Sequence, residues 1–223
     1  MINLQAIKLS KTLLLPSGEV PALVEFSASF EARKCYAVTG PSGCGKSTLL
    51  YLLGLLDTPT SGEIILHGIA TGKISAETKT KLRNQNLGFV FQFHFLLPEL
   101  TVTENIILPA LKLGLPEEAA TLRAQTLLKE IGLAQKADRL AWQLSGGEQQ
   151  RVAVARCLIN NPPVVLADEP TGNLDTHNSG LIFDLLSHAC IDRGSTLIIV
   201  THNSGLAARC DVALRLKDGK LVE

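Results

Sequence analysis

Gly40-Pro41-Ser42-Gly43-Cys44-Gly45-Lys46-Ser47-Thr48 is the stretch from which the fold of this chain is read. It meets every fixed position of the pattern G-x-x-x-x-G-K-[ST], at Gly40, Gly45, Lys46 and Ser47. A loop that wraps phosphate oxygens must turn its backbone N–H groups inward, and glycine allows both the turn and the close approach. Lys46 then reaches the outer phosphates, and the Ser47 hydroxyl can hold Mg²⁺. The flanks agree. Residues 35–39 read as a short buried strand, and 49–53 as a helix whose positive N-terminus faces the phosphates. Cys44 has two readings, an inert spacer or a thiol activated by the helix start.

The composition narrows what surrounds this loop. A chain of 223 residues holds one large domain or two small ones. Lys plus Arg and Asp plus Glu number 21 each, and aromatics are 4%, so neither charge nor stacking surface points to a nucleic-acid partner. Hydrophobic residues make up 46% of the chain, which suits a buried parallel sheet together with a protein-facing apolar patch. Apolar runs such as 49–53 fall far short of the ~18 residues needed to cross a bilayer. Residues 1–6 lack the basic start and long apolar region of a signal peptide, so a cytoplasmic location is expected. Five cysteines without a C-x-x-C pair suit reduced thiols rather than structural zinc.

Along the chain, residues 2–9, 22–30, 35–39, 62–68 and 87–91 read as strands, with turns at 16–18 and 57–62. A serine start and mixed charge predict a short helix over 75–84. From Gln92 to about Asn160 the texture becomes helical, at 103–113, 117–131 and 146–158, with Pro98, Pro109, Pro116 and Gly132 as breaks. Residues 164–169 return to a buried strand. A helix over 179–192, a strand over 195–201, a short helix over 204–210 and a hairpin over 212–223 close the chain. The expected architecture is one α/β domain, with residues 1–91 and 161–223 as core and β subdomain and 92–160 as a helical insertion.

Other parts of a site recur at a distance from the loop. Val164-Val165-Leu166-Ala167 is followed by Asp168 and Glu169. An aspartate at a strand end is where such loops find their Mg²⁺ partner, and Glu169 is suited to act as general base on a water. Leu144-Ser145-Gly146-Gly147-Glu148 opens a helix, and it reads both as a second anion-binding helix start and as a capping box. His67, His94, His177 and His188 carry no comparable context.

Taken in order, Gly40–Thr48, Gln92, Leu144–Glu148, Val164–Glu169, Asn173-Leu174-Asp175 and His202 resemble the full motif set of ABC-type ATPases, over essentially the whole chain. The resemblance implies a P-loop NTPase of the ABC nucleotide-binding type, with a RecA-like core, an N-terminal antiparallel β subdomain and a helical insertion. It implies ATP and Mg²⁺ as ligands. Lys46, Ser47 and Thr48 would contact phosphates and metal, joined at the metal by Asp168, and Gln92 would touch the metal or the attacking water and sense the membrane partner. Glu169 would be the base and His202 would meet the γ-phosphate. Ser145, Gly146, Gly147 and Glu148 would reach the nucleotide of a second subunit in an ATP-dependent homodimer, with Asp175 at that interface. The first β turn departs from the family: residues 13–18 contain no aromatic to stack on adenine, which leaves Leu13 as an aliphatic contact.

Residues 54–62, 82–105 and 166–175 are similar to the branch that holds lipoprotein-releasing and macrolide-exporter ATPases. That branch implies two transmembrane permease subunits and a peripheral position on the cytoplasmic face of the inner membrane. Phe91, Phe93, Phe95, Leu96 and Leu97 read either as core or as the groove for a membrane-subunit helix. A divisome-type regulatory ATPase shares most of the motifs and is the rival reading. A DNA-maintenance ATPase would need a long coiled coil, and 92–160 shows no sustained heptads.

Overall fold

The computed structural model describes residues 1–16 and 18–222, without the side chains of residues 15, 176 and 177. The turn expected at 16–18, the end of the last hairpin and the side chain of His177 therefore reach outside the described residues.

Two antiparallel strands open the chain, β1 (Ile2–Leu15) and β2 (Gly18–Glu31). Both run longer than expected because register shifts between Ile2 and Thr12 break the alternation of apolar positions that marks a strand. β3 (Cys35–Thr39) leads through the phosphate loop into α1 (Lys46–Leu53). β4 (Ser61–Leu66) pairs with β1, and β5 (Ile69–Ala70) with β4, which completes a four-stranded sheet of order β2-β1-β4-β5. α2 (Ala76–Asn86) starts at the expected serine, whose hydroxyl accepts from Thr78 N at 3.1 Å. β6 (Leu87–Phe91) follows it directly.

Helices α3 (Val102–Lys112), α4 (Glu117–Glu130) and α5 (Gly146–Leu158) fall within 92–160. Pro109 does not break α3 but lies inside it. Its missing N–H comes late in the helix, and its own carbonyl still accepts from Leu113 N at 3.3 Å and from Asn84 Nδ2 at 3.2 Å. The capping box of Thr101 and Glu104 fixes the other end. β7 (Val164–Asp168), α6 (Thr176–Asp192), β8 (Thr196–Val200), α7 (Ser204–Ala207), β9 (Val212–Lys217) and β10 (Lys220–Leu221) finish the chain.

The second sheet has the order β10-β9-β3-β8-β7-β6, parallel throughout except for β10. Both of its faces are covered, which is why β7 and β8 are apolar runs without alternation. The pleat sends Val165 and Ala167 into a core shared with α3, α4, α5 and α6, and Val164 and Leu166 into a core shared with α1 and the antiparallel sheet. α1 packs against β7 and β8 of one sheet and β1 and β2 of the other. Its Leu49, Leu50, Leu52 and Leu53 are all buried, each stabilising the fold by roughly 1.5–3 kcal/mol.

β6 and α5 meet at Gly88. A Cβ there would lie 2.5 Å from Cys157 Sγ, 2.8 Å from Cys157 O and 2.9 Å from Pro162 Cγ. Gly88→Ala is expected to lower stability by about 1–3 kcal/mol in urea denaturation, because the strand and helix must separate to admit the methyl group. Unchanged stability would show that this contact yields freely.

Candidate active site

The phosphate loop sits where the two sheets meet. Gly40, Gly43 and Gly45 adopt φ of 143°, 78° and 100°. A Cβ at Gly40 would come within 2.2 Å of Leu216 O, and a Cβ at Gly45 within 2.2 Å of Ala22 O. Lys46 Nζ donates to Gly40 O and Pro41 O at 2.9 Å each, so its ammonium is held above the loop. α1 begins at Lys46 itself, and the unpaired N–H groups of its first turn add to those of the loop. Residues 42–43 and 45–48, together with Asp168, Glu169 and Leu13, line one cavity of about 450 Å³. Leu13 is therefore at this cavity, as the sequence suggests. Cys44 is not: it is 5% exposed and packs into the core beneath the loop. Its burial is the placement of a spacer side chain.

β7 delivers two carboxylates to the same cavity. Ser47 Oγ donates to Asp168 Oδ1 at 3.4 Å. Burial pushes the Asp168 carboxyl above its usual range, and the Ser47 hydrogen bond opposes that shift. A hydroxyl and a carboxylate oxygen facing each other are hard donors of the kind Mg²⁺ takes. Among the described residues no cluster of three or more His, Cys, Asp or Glu side chains is arranged to hold a metal.

Glu169 follows at φ 44°, a left-handed conformation uncommon outside glycine. Its N–H donates to Val200 O at 2.9 Å, which ties the turn to the end of β8. Its carboxylate accepts from His202 N at 2.9 Å and from Thr201 Oγ1 at 3.2 Å, and His202 Nδ1 lies 2.8 Å from Oε1. The glutamate side chain is 18% exposed and the histidine 75%. His202 and Gly40 also line a second cavity of about 320 Å³.

Gln92 points elsewhere. Its Nε2 donates to Asn173 Oδ1 at 2.9 Å, and Asn173 Nδ2 donates back to Gln92 O at 3.1 Å. Asp175 caps α6, with Oδ1 accepting from Asn178 N at 2.9 Å and Oδ2 from Asn178 Nδ2 at 2.5 Å. Glu148 accepts from Ser145 N at 3.1 Å and is ion-paired with Lys136, whose ammonium holds the Glu148 carboxyl below its usual range. None of residues 145–148 lines the phosphate-loop cavity. A Cβ at Gly146 would meet nothing within 4 Å, so this helix start faces outward.

Two residues of α5 were not singled out by their sequence. Gln150 is 1% exposed, and its Nε2 donates to Phe91 O at 3.2 Å and Pro170 O at 2.6 Å, while Oε1 meets His94 Nδ1. Arg156 donates to Phe95 O at 2.7 Å and His94 O at 2.6 Å. The only hint in the sequence is polarity on a helix face otherwise lined by residues such as Val152 and Ala153. Held by these two side chains, the segment after β6 presents Phe93 and Phe95, each 65% exposed, and Leu97, 47% exposed. Beside it lies a groove of about 350 Å³ lined by residues that include Leu87, Phe89, Phe91 and Pro109.

A backbone-lined phosphate loop on a parallel strand, an Asp-Glu strand end beside it and a separate outward-facing Ser-Gly-Gly helix start define an ATP-binding cassette. The chain belongs to the ABC transporter family, whose model matches residues 23–172. It is 47% identical over 196 residues to the lipoprotein-releasing system ATP-binding protein LolD of Aquifex aeolicus, a match covering 88% of this chain and 87% of that one. Among solved structures it is similar to the dimeric bacterial ABC transporter cassette MJ0796, with a TM-score of 0.90 and 37% identity over 99% of this chain and 97% of the other. The same cassette in a dimeric post-hydrolysis state with ADP and Pi matches equally, at a TM-score of 0.90 and 37% identity over the same shares. CbiO1 of Clostridium perfringens, part of the ABC transporter complex cbiONQ, matches with a TM-score of 0.87 and 29% identity over 100% of this chain and 87% of that one. The α/β fold and the antiparallel β subdomain expected from the motifs are present.

Gln150→Leu keeps most of the volume but leaves the carbonyls of Phe91 and Pro170 without this donor. The expected cost is about 1–3 kcal/mol in denaturant unfolding. A neutral substitution would mean that water reaches both carbonyls.

Proposed function

We propose that this chain is the ATP-hydrolysing subunit of a lipoprotein-releasing transporter. It works as an ATP-dependent homodimer on two transmembrane permease subunits, at the cytoplasmic face of the inner membrane. The identity with LolD over most of both chains supports the branch and does not favour the divisome-type alternative. Among the described residues no helix is long and apolar enough to cross a membrane, in keeping with a subunit that docks on membrane partners. The exposed Phe93, Phe95 and Leu97 and the groove beside them would receive a helix of such a partner.

The observation that carries the reading is the division of the site. The phosphate loop, Asp168 and Glu169 share one cavity, and Ser145–Glu148 stand outside it. In a head-to-tail pair, Ser145, Gly146 and Gly147 of one chain would close over the nucleotide of the other, and Asp175 would lie at the same seam. The loop amides of Gly40, Ser42, Gly43, Cys44 and Gly45, with Lys46 and Thr48, would hold the phosphates, Pro41 would shape the loop and anchor Lys46 through its carbonyl, and Leu13 would pack on the base. Ser47, Asp168 and, after leaving Asn173, Gln92 would hold Mg²⁺, which when bound neutralises charge on the phosphate oxygens. Glu169 would accept the proton of the attacking water. His202 would keep Nδ1 on Glu169 and leave Nε2 for the γ-phosphate.

Glu169→Gln retains the shape of the side chain and removes the base. The purified variant is expected to bind Mg-ATP as the parent does and to hydrolyse it slower by roughly 10²–10⁴-fold. Turnover close to the parent's would assign the base elsewhere.

A further inference from the structure

We propose that Cys35 and Cys210 form an oxidisable dithiol site that takes low-molecular-weight disulfides and closes to an intrachain disulfide. The bond would join the root of β3 to the segment after α7. The two sulfurs lie 2.9 Å apart across 175 residues of sequence, with the Cys35 thiol donating to Cys210. Two backbone-anchored hydrogen bonds hold them there: Cys35 N donates to Asp211 Oδ2 at 2.7 Å, and Asp211 N donates to Cys35 O at 2.9 Å. A disulfide needs the sulfurs only about 0.9 Å closer, a change within reach of side-chain rotation.

The other thiols are placed differently. Cys44, Cys157 and Cys190 are buried, as is Cys35, and Cys210 alone is partly exposed. Burial pushes the Cys190 thiol up to about 12 and the Cys157 thiol well above its usual value. The hydrogen bond from Cys35 lowers the Cys210 thiol, and the same bond followed by burial raises Cys35. Cys210, the one partly exposed thiol, is therefore the group that meets an incoming disulfide and attacks it as the thiolate, and the buried Cys35 behind it is the resolving thiol.

In the first step Cys210 sulfur attacks a disulfide RSSR, forming Cys210–S–SR and releasing RS⁻. In the second, Cys35 gives its proton to the released thiolate and its sulfur attacks Cys210 sulfur, expelling the second RS⁻. Two electrons pass from the cysteine pair to RSSR, and the products are the Cys35–Cys210 disulfide, RSH and RS⁻. β3 runs into the phosphate loop, and α7 begins two residues after His202. The bond would tether the strand that carries one part of the site to the segment that carries another. In a reducing compartment such a bond is transient, which is the behaviour of a redox-sensing pair.

The test is to incubate the full chain with oxidised glutathione, quench by alkylation, count thiols and map disulfide-linked peptides. The expected result is the loss of two of the five thiols, a Cys35–Cys210 linked peptide, a higher Tm and full reversal by dithiothreitol. Cys210→Ala, at a partly exposed position, should retain all its remaining thiols and show no shift in Tm. Cys35→Ala should stop at a glutathione adduct on Cys210. No oxidation of the parent chain, a stable glutathione adduct on it, a bond from Cys210 to any other cysteine, or thiol loss persisting in Cys210→Ala would each overturn the proposal.

Discussion

Two sheets approach one loop so closely that only glycine fits between them. Gly40 rests against the carbonyl of Leu216 in the parallel sheet, and Gly45 against that of Ala22 in the antiparallel sheet. Backbone bonds pin the junction, from Val24 N to Gly219 O at 2.8 Å and from Gly219 N to Cys44 O at 3.2 Å. The two halves of the fold are thus joined at the place where phosphates would bind. That is why the antiparallel sheet can offer Leu13 to the same cavity. The apolar side of α1 and the buried Cys44 fill the space behind the loop.

The helical part connects to this junction through α5. Its first turn is the outward-facing Ser145–Glu148 segment, and further along it Gln150 and Arg156 grip the chain between Phe91 and Phe95. Gln150 also holds Pro170 O, next to Glu169. One buried amide therefore links the exposed aromatic patch, the helix start and the Asp168–Glu169 turn. Gln92 and Asn173 make a second bridge between the same segments. A partner pressing on Phe93 and Phe95 would act on the carboxylate turn through these polar contacts, which hold discrete geometry where an apolar contact would slide.

Much of this was legible in the residues. The loop, the bounds of β3, β6 and α5, the serine start of α2 and the convergence of Ser47, Asp168 and Glu169 follow from local chemistry: glycine conformations, capping side chains and apolar run length. What escaped depends on tertiary context. The long β1–β2 ribbon hides behind its bulges. Pro109 reads as a stop, yet neighbouring donors let the helix continue past it. β5 is too short to carry a periodic pattern. Gln150 looks like one more polar residue on a helix, and only the fold shows that its side chain faces two backbone carbonyls inside. The Cys35–Cys210 contact joins positions 175 residues apart, beyond the reach of any spacing rule.

Whether two chains share each site is open to a decisive mixing experiment. Heterodimers are isolated through two different affinity tags and assayed for ATP turnover. One pairs a Lys46→Ala chain with a Ser145→Arg chain, each inactive alone. The other pairs a chain carrying both substitutions with the parent chain. If Ser145 serves the nucleotide held by the opposite subunit, the first heterodimer keeps one intact site and is active, and the second is damaged at both sites and is dead. An inactive first heterodimer with an active second one would place both residues in the site of a single chain and contradict the account.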